Sequence, residues 1–249
     1  MKRSFFVAVL ISIFSSQVVM AETDVNQTKE VNSGTKRVTL IELYTSEGCS
    51  SCPPADKWLS SIKQQAALWE RVVPIALHVD YWNYIGWNDR FANRMHSDRQ
   101  RNYHYQGASN GVYTPGFFVD GKEWRGYFTG DDLVGSTANS AGELNITITG
   151  EHFTAQYTPA ADTKPAGQNY KLMVALLGMN LSTEVKHGEN RGKTLDHDFV
   201  VLNLKQARGK NNQWQGSLPM RSDDQDYAIA AWVTGNNSMT PVQAVGGPL

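Results

Sequence analysis

The chain has 249 residues and a net charge of −1, a length that accommodates one or two domains. Its content of 41% hydrophobic and 19% charged residues excludes an intrinsically disordered chain. No basic run occurs, which argues against nucleic acid or an anionic membrane surface as a partner.

The first 21 residues have the pattern of a secretory signal peptide. Lys2 and Arg3 precede an apolar run from Phe5 to Phe14, and the small residue Ala21 marks a cleavage site. The run is too short to span a bilayer, although a short membrane anchor is the alternative interpretation. We therefore expect a periplasmic or secreted protein, cleaved after Ala21, with no membrane insertion of the mature chain.

The first half of the mature chain predicts alternating strands and helices. Residues 22–37 are polar and are interpreted as a flexible leader. The β-branched and apolar segments Val38–Tyr44 and Val72–Val79 predict buried strands. Between them, the segment that begins at Pro53 predicts an amphipathic helix. Residues 38–141 are accordingly predicted to form an α/β domain.

The pattern changes near residue 143. From there to the C-terminus, short segments of alternating hydrophobicity are separated by polar turns rich in glycine and asparagine. This spacing predicts an antiparallel β-sandwich of six to eight strands. We place the domain boundary at Ala141–Gly142, so that residues 142–249 form the second domain.

The chain contains only two cysteines, Cys49 and Cys52. A disulfide between them closes a very small loop and stabilises the fold little, which favours a redox role over a structural one. A zinc site would need a second pair of ligands. Five histidines could complete such a site, but they lack paired ligand spacing apart from the loosely spaced His187 and His197; the five are His78, His96, His104, His187 and His197. We therefore expect neither a metal nor a cofactor.

The position of the two cysteines favours thiol chemistry. A cysteine just ahead of a helix meets unpaired N–H groups and the positive end of the helix dipole, which stabilise the nucleophilic thiolate. Cys49 is predicted to be the exposed, attacking sulfur. Cys52 is predicted to resolve the mixed disulfide.

Two segments resemble a known fold family. The segment Leu43–Cys52 is similar to the active-site turn of thioredoxins and glutaredoxins. The segment Tyr113–Lys122 is similar to the stretch that carries the cis-proline of that fold. The resemblance implies an α/β thioredoxin-like domain in which Pro115 is cis and Thr114 and Pro115 line a substrate groove beside the cysteines.

The whole chain resembles a narrower group of exported bacterial thioredoxin-like proteins, a family catalogued as a domain of unknown function. The matching pieces include Glu42–Asp56, His78–Trp82, Tyr113–Pro115 and Gly188–Leu195, and they lie in both predicted domains. The resemblance implies a redox class but no established substrate.

Several residues keep two interpretations. Glu42 stands one position before the place of the buried acid of thioredoxin, so it either supports the cysteines or points away from them. Trp82 and Trp87 either line the groove or cover the core. The segment Gly188–Leu195 is either a structural turn or a surface that contacts the redox site. His78 is predicted to be buried against a carboxylate.

The leading hypothesis is an exported thiol–disulfide oxidoreductase that acts through the Cys49–Cys52 pair. Its partners would be protein thiols or disulfides, small thiols, or a redox partner protein. The alternatives are a binding or assembly module without turnover, and a copper- or other metal-handling protein that uses the same thiols.

Overall fold

The computed structural model describes residues 28–131, 133, 140–161 and 169–249. The predicted signal peptide, residues 1–21, lies outside the described residues. The helices are α1 (Pro53–Ser61), α2 (Arg94–Tyr105) and α3 (Gly126–Thr129), with short 3-10 turns at Ile62–Gln64 and Asn83–Ile85. The strands are β1 (Thr28–Asn32), β2 (Thr39–Thr45), β3 (Val72–His78), β4 (Gly116–Val119), β5 (Lys122–Glu123), β6 (Glu143–Thr149), β7 (His152–Thr158), β8 (Tyr170–Gly178), β9 (Leu181–Glu184), β10 (Thr194–His197), β11 (Val200–Gln206), β12 (Arg208–Lys210), β13 (Gln213–Ser217), β14 (Tyr227–Gly235) and β15 (Pro241–Pro248).

The predicted fold class, an α/β thioredoxin-like domain followed by an antiparallel β-sandwich domain, is wrong. Strands account for 44% and helices for 15% of the described residues. The largest element is one eight-stranded sheet in the order β15-β14-β8-β11-β3-β2-β4-β5. This sheet takes strands from both sides of the predicted boundary at Ala141–Gly142, so the two halves share their main layer.

The two halves join where β11 runs parallel to β3, with Val200 opposite Ala76. The neighbouring strands β8 and β14 explain why the sandwich prediction failed. Nearly every residue of β14, and the last five of β8, are buried, whereas a sandwich strand has one face in water. A strand that is buried on both faces has a continuous apolar sequence. Such strands lie in the interior of a sheet that is covered on both sides.

The shared sheet separates two hydrophobic cores. Alternate residues of β14 enter different cores: Ala230 and Trp232 belong to the core that also contains residues of β2 and α2, and Ile229 and Ala231 pack on the other side. Successive side chains of a strand point to opposite faces, so one strand can fill both cores. Residues from the C-terminal half therefore complete the core on which the N-terminal strands pack.

A second sheet of five strands, in the order β1-β6-β7-β13-β12, covers the other core. Strand β1 lies in the segment that was predicted as a flexible leader, residues 22–37. Its five residues pair antiparallel with β6, from Thr28 opposite Thr149 to Asn32 opposite Asn145. The polar composition of β1 suits an edge strand that buries one apolar side chain, Val31.

Within the described residues, no helix has the length and apolar character that a membrane crossing requires.

Candidate functional site: the Cys49–Cys52 turn

The two cysteines lie between β2 and α1. Cys49 and Cys52 are joined by a disulfide, with their Cα atoms 5.4 Å apart, a separation usual for a disulfide. The backbone N–H of Cys52 donates to the Cys49 carbonyl (3.2 Å), and Cys52 is the N-cap of α1. The predicted placement of the pair at a helix N-terminus is therefore present.

The start of α1 was expected to present unpaired N–H groups to the cysteines, but the structure shows none free in its first turn. Pro53 and Pro54 have none, and the N–H groups of Ala55 and Asp56 both donate to the Cys52 carbonyl, at 2.8 and 3.0 Å. The first turn of α1 therefore offers these bonds to the Cys52 carbonyl and not to a cysteine sulfur.

Both cysteines are buried. Cys49 is 1% exposed and Cys52 0%, so the expectation that Cys49 is an exposed sulfur is wrong for the disulfide form. The Cys49 Sγ lies 3.3 Å from Ser51 Oγ and 3.9 Å from the Thr114 carbonyl oxygen. Ser51 is itself exposed, so the Cys49 sulfur lies next to a side chain that reaches solvent.

Residues 185–193, between β9 and β10, form a loop over the cysteine turn, which we call the covering loop. The Asn190 side-chain amide donates to the carbonyl oxygens of Glu47 and Cys49, both at 2.9 Å. The Glu189 carboxylate accepts a bond of 2.9 Å from the Ser50 backbone N–H. Of the two interpretations of the segment Gly188–Leu195, the structure thus supports contact with the cysteine turn.

We expect Asn190→Ala to loosen this loop. The substitution removes the bond to the Glu47 carbonyl and one of the two bonds to the Cys49 carbonyl, which still accepts from the Cys52 N–H. A buried carbonyl left without its bond costs roughly 1–3 kcal/mol, so urea unfolding should show a loss of about 1–3 kcal/mol. The disulfide should also be reduced faster by dithiothreitol, because the turn is less shielded. Lys186→Ala, an exposed position of the same loop, is the matched control and should change stability by less than about 0.5 kcal/mol. Equal behaviour of the two variants would show that the loop does not hold the turn.

Thr114 and Pro115 lie beside the disulfide. Their peptide bond is cis, as predicted. A cavity of about 620 Å³ opens next to them. Its lining is mostly apolar and aromatic, with one cation: Ser51, Pro54, Tyr113, Thr114, Pro115, Arg125, Tyr127 and Phe128. The cavity has the position of the predicted groove.

The two tryptophans hold the turn from the other side. Trp82 Nε1 donates to Thr114 Oγ1 at 2.7 Å, and Trp87 Nε1 donates to Glu47 Oε2 at 2.8 Å. A Cβ at Gly48 would lie 3.2 Å from the Trp82 Cβ, so this wall leaves little room for a larger residue. Neither tryptophan lines the 620 Å³ cavity; both brace the cysteine turn.

Glu42 lies away from the disulfide. Its carboxylate accepts two bonds from Arg99, at 2.7 and 2.8 Å, and further bonds from Tyr44 and Tyr103, at 3.0 and 2.5 Å. Glu42 faces α2, whereas Thr45, three positions on, faces α1 and donates to Asp56 at 2.9 Å. Of the two interpretations of Glu42, the structure supports the one in which it points away.

A buried polar cluster that the sequence reasoning missed lies behind the turn, and His78 is at its centre. His78 Nδ1 lies 2.7 Å from Asp89 Oδ2, which confirms the predicted burial of His78 against a carboxylate. Burial lowers the pKa of His78, but Asp89 outweighs it and the net pKa is raised. Burial likewise favours neutral Asp89, yet His78 holds the pKa of Asp89 below its ordinary value. Burial raises the pKa of Asp56.

Part of this cluster could have been found from spacing alone. Asp56 follows Cys52 by four residues and shares its helix face, and Glu47 stands two residues before Cys49. Asp89 and His197 come from a loop and from the end of β10, so only the fold brings them to the turn.

Comparison with solved structures shows two relatives of the fold. A crystal structure of protein AGR_C_4864 from Agrobacterium tumefaciens is 24% identical with a TM-score of 0.56; the match covers 86% of this chain and 94% of that one. HBP35 of Porphyromonas gingivalis is 15% identical with a TM-score of 0.52; the match covers 87% of this chain and 76% of that one. At these identities the likeness concerns the fold alone.

A search of the curated proteins gave no match. The model of a family described as "Protein of unknown function (DUF1223)" matches residues 40–234. This range includes the cysteine turn, the Thr114–Pro115 segment and the covering loop, and it is well over half of the sequence. The chain therefore belongs to the DUF1223 family.

Proposed function

We propose that this protein is an exported thiol–disulfide oxidoreductase whose active centre is the Cys49–Cys52 pair. The observation that carries the proposal is the disulfide at the N-terminus of α1, beside a cavity that contains Thr114 and Pro115. The chain has no other cysteine, so a disulfide of this small loop size is better explained by opening and closing than by structural support. Export agrees with this chemistry, because disulfides persist in oxidising compartments.

The reaction balances as two exchange steps. In the reduced protein, the Cys49 thiolate attacks one sulfur of a substrate disulfide, and the other substrate sulfur leaves as a thiolate that takes up a proton. The Cys52 thiolate then attacks Cys49 Sγ, which closes the protein disulfide and releases the second substrate thiol. The substrate disulfide gains two electrons, and the protein dithiol loses them. Oxidation of a substrate dithiol is the same sequence in reverse.

The cavity supplies the approach to Cys49. Its wall at Ser51 lies next to the Cys49 sulfur (3.3 Å), and the Thr114 carbonyl oxygen lies 3.9 Å from that sulfur. An extended peptide in the cavity would place apolar side chains against Tyr127 and Phe128. Protein thiols or disulfides therefore fit the site better than a very small polar thiol does.

The test is a redox titration of the mature protein followed by two activity assays. Equilibration in glutathione buffers, with mass spectrometry of trapped thiols, should give one two-electron transition between the Cys49–Cys52 disulfide and the dithiol. The reduced form should accelerate insulin reduction, or the oxidised form should accelerate oxidation of a dithiol peptide, and Cys49→Ser should do neither. A pair that stays locked in all buffers and accelerates neither reaction would refute the proposal and favour a binding module without turnover.

A further inference from the structure

Three polar side chains converge in the interior behind the cysteine turn. Asp56 of α1, His78 at the end of β3 and His197 at the end of β10 each offer one ligand atom, and these atoms lie within 4.8 Å of one another. All three residues are buried, at 6%, 0% and 2% exposure. They are held by three different elements, namely α1, β3 of the eight-stranded sheet and β10 of the two-stranded β9-β10 sheet. Their convergence is therefore a property of the fold.

Several polar atoms of this group are without a hydrogen bond. Within the described residues, His78 Nε2, both ring nitrogens of His197 and Glu47 Oε1 are buried and lack such a partner. His197 Nε2 does lie 3.4 Å from Glu47 Oε1, an approach without the geometry of a hydrogen bond. Buried polar atoms are normally satisfied, so four unsatisfied atoms in one place call for a bound group.

The hydrogen bond between His78 and Asp89 leaves His78 Nε2 able to act as a metal ligand. Asp89 Oδ2 accepts from the Glu47 backbone N–H at 2.9 Å, and Asp89 Oδ1 accepts from the Phe91 N–H at 2.9 Å. The carboxylate is thus fixed as an acceptor, which places the proton of neutral His78 on Nδ1 and leaves the Nε2 lone pair free. Metal-binding histidines commonly donate their second ring nitrogen to a carboxylate in this way.

The charges also favour a cation. Glu47, Asp56 and Asp89 contribute three carboxyl groups against two imidazoles. In the part of the chain that the structure describes, no lysine or arginine forms an ion pair with these carboxylates. Asp89 lies against His78, and Glu47 lies against His197. A divalent ion would offset this excess of buried acidic groups.

We propose that Asp56, His78 and His197 bind one divalent transition-metal ion of the zinc class, with Glu47 as the nearest further carboxylate. Two imidazole nitrogens and carboxylate oxygen form a ligand set that suits zinc. Both cysteines are engaged in the disulfide, so this site is distinct from a thiol-dependent metal site and does not require the proposed redox activity.

The test uses the mature protein with its disulfide intact, stripped with a chelator and titrated with Zn²⁺ in a calorimeter. We expect one equivalent to bind and to raise the Tm. Asp56→Asn and His197→Asn should abolish stoichiometric binding, and Asp89→Asn should weaken it roughly 10- to 100-fold. His187→Asn, which changes an exposed histidine of the covering loop, should bind as the unmodified protein does.

Co²⁺ provides a readout that does not depend on the variants folding. The Co²⁺-loaded protein should show visible d–d bands without a thiolate-to-metal charge-transfer band, and Cys49→Ser/Cys52→Ser should give the same spectrum. Absence of stoichiometric binding, binding retained in folded Asp56→Asn and His197→Asn, or a thiolate band would each overturn the proposal. A redox-inactive protein that still binds Zn²⁺ would refute only the proposed function.

Discussion

Cys49→Ser should reduce thiol–disulfide turnover to the rate without protein, whereas Cys52→Ala should stop turnover after one half-reaction. The Cys49 sulfur lies next to Ser51 and the Thr114 carbonyl, both at the cavity wall, so it is the sulfur that a substrate reaches first. Without Cys52, the mixed disulfide on Cys49 has no internal thiolate to resolve it. Non-reducing gels and intact-mass spectrometry should therefore show substrate bonded to Cys52→Ala and none bonded to Cys49→Ser.

The same pair of variants tests which of the two cysteines attacks the substrate. If Cys52 were the attacking residue, Cys49→Ser would accumulate the mixed disulfide and Cys52→Ala would not. The double variant Cys49→Ser/Cys52→Ser should trap nothing, which controls for non-specific disulfide formation. Both single variants lack the internal disulfide, so a difference between them reflects chemistry and not the loss of that bond.

Arg99→Ala should destabilise the protein by about 3–5 kcal/mol, the usual result of removing one partner of a buried ion pair. The guanidinium makes two bonds to the fully buried Glu42 carboxylate and packs over the Trp232 ring at 5.1 Å. Its removal leaves the Glu42 charge with only the Tyr44 and Tyr103 hydroxyl groups. Urea unfolding followed by circular dichroism measures the loss.

Arg94→Ala is the matched control on the same helix. The Arg94 side chain is 83% exposed and lies 3.7 Å from Asp98, so its loss should cost less than about 0.5 kcal/mol. The redox potential of folded Arg99→Ala should equal that of the unmodified protein, because Glu42 does not contact the cysteines. A shifted redox potential would show that the Glu42–Arg99 pair does influence the cysteines. A stability loss no larger than that of Arg94→Ala would show that the buried pair contributes little to stability.

Local elements near the cysteines could be predicted from sequence, because their signals are local. The segments Val38–Tyr44 and Val72–Val79 form β2 and β3 to within one residue, and the helix begins at Pro53 as predicted. Runs of branched apolar residues favour the two strands, and the paired prolines favour a helix start, so a few neighbouring residues are enough to predict each element. Local patterns also placed the cysteine pair at the start of this helix, whereas the cis bond before Pro115 was implied by the resemblance to the thioredoxin fold.

The arrangement of the strands could not be predicted in this way. The parallel pairing of Val200 with Ala76 joins residues far apart in the chain, and no local pattern encodes that register. The long apolar run in β14 was a usable signal, because a strand buried on both faces does not suit the outer face of a sandwich. Burial of Cys49 was missed for a similar reason, since Asn190, which bonds to its backbone, is distant in sequence.

The parallel pairing of β11 with β3 also has a consequence for how the chain folds. When β3 has been synthesised, one of its two edges has no partner until residue 200 has followed, and an unpaired strand edge is an aggregation hazard. Closing so long a loop is entropically unfavourable and is typical of slowly folding topologies. A fragment that ends near residue 141 would keep that edge open, so the N-terminal half cannot be expected to behave as an independent folding unit.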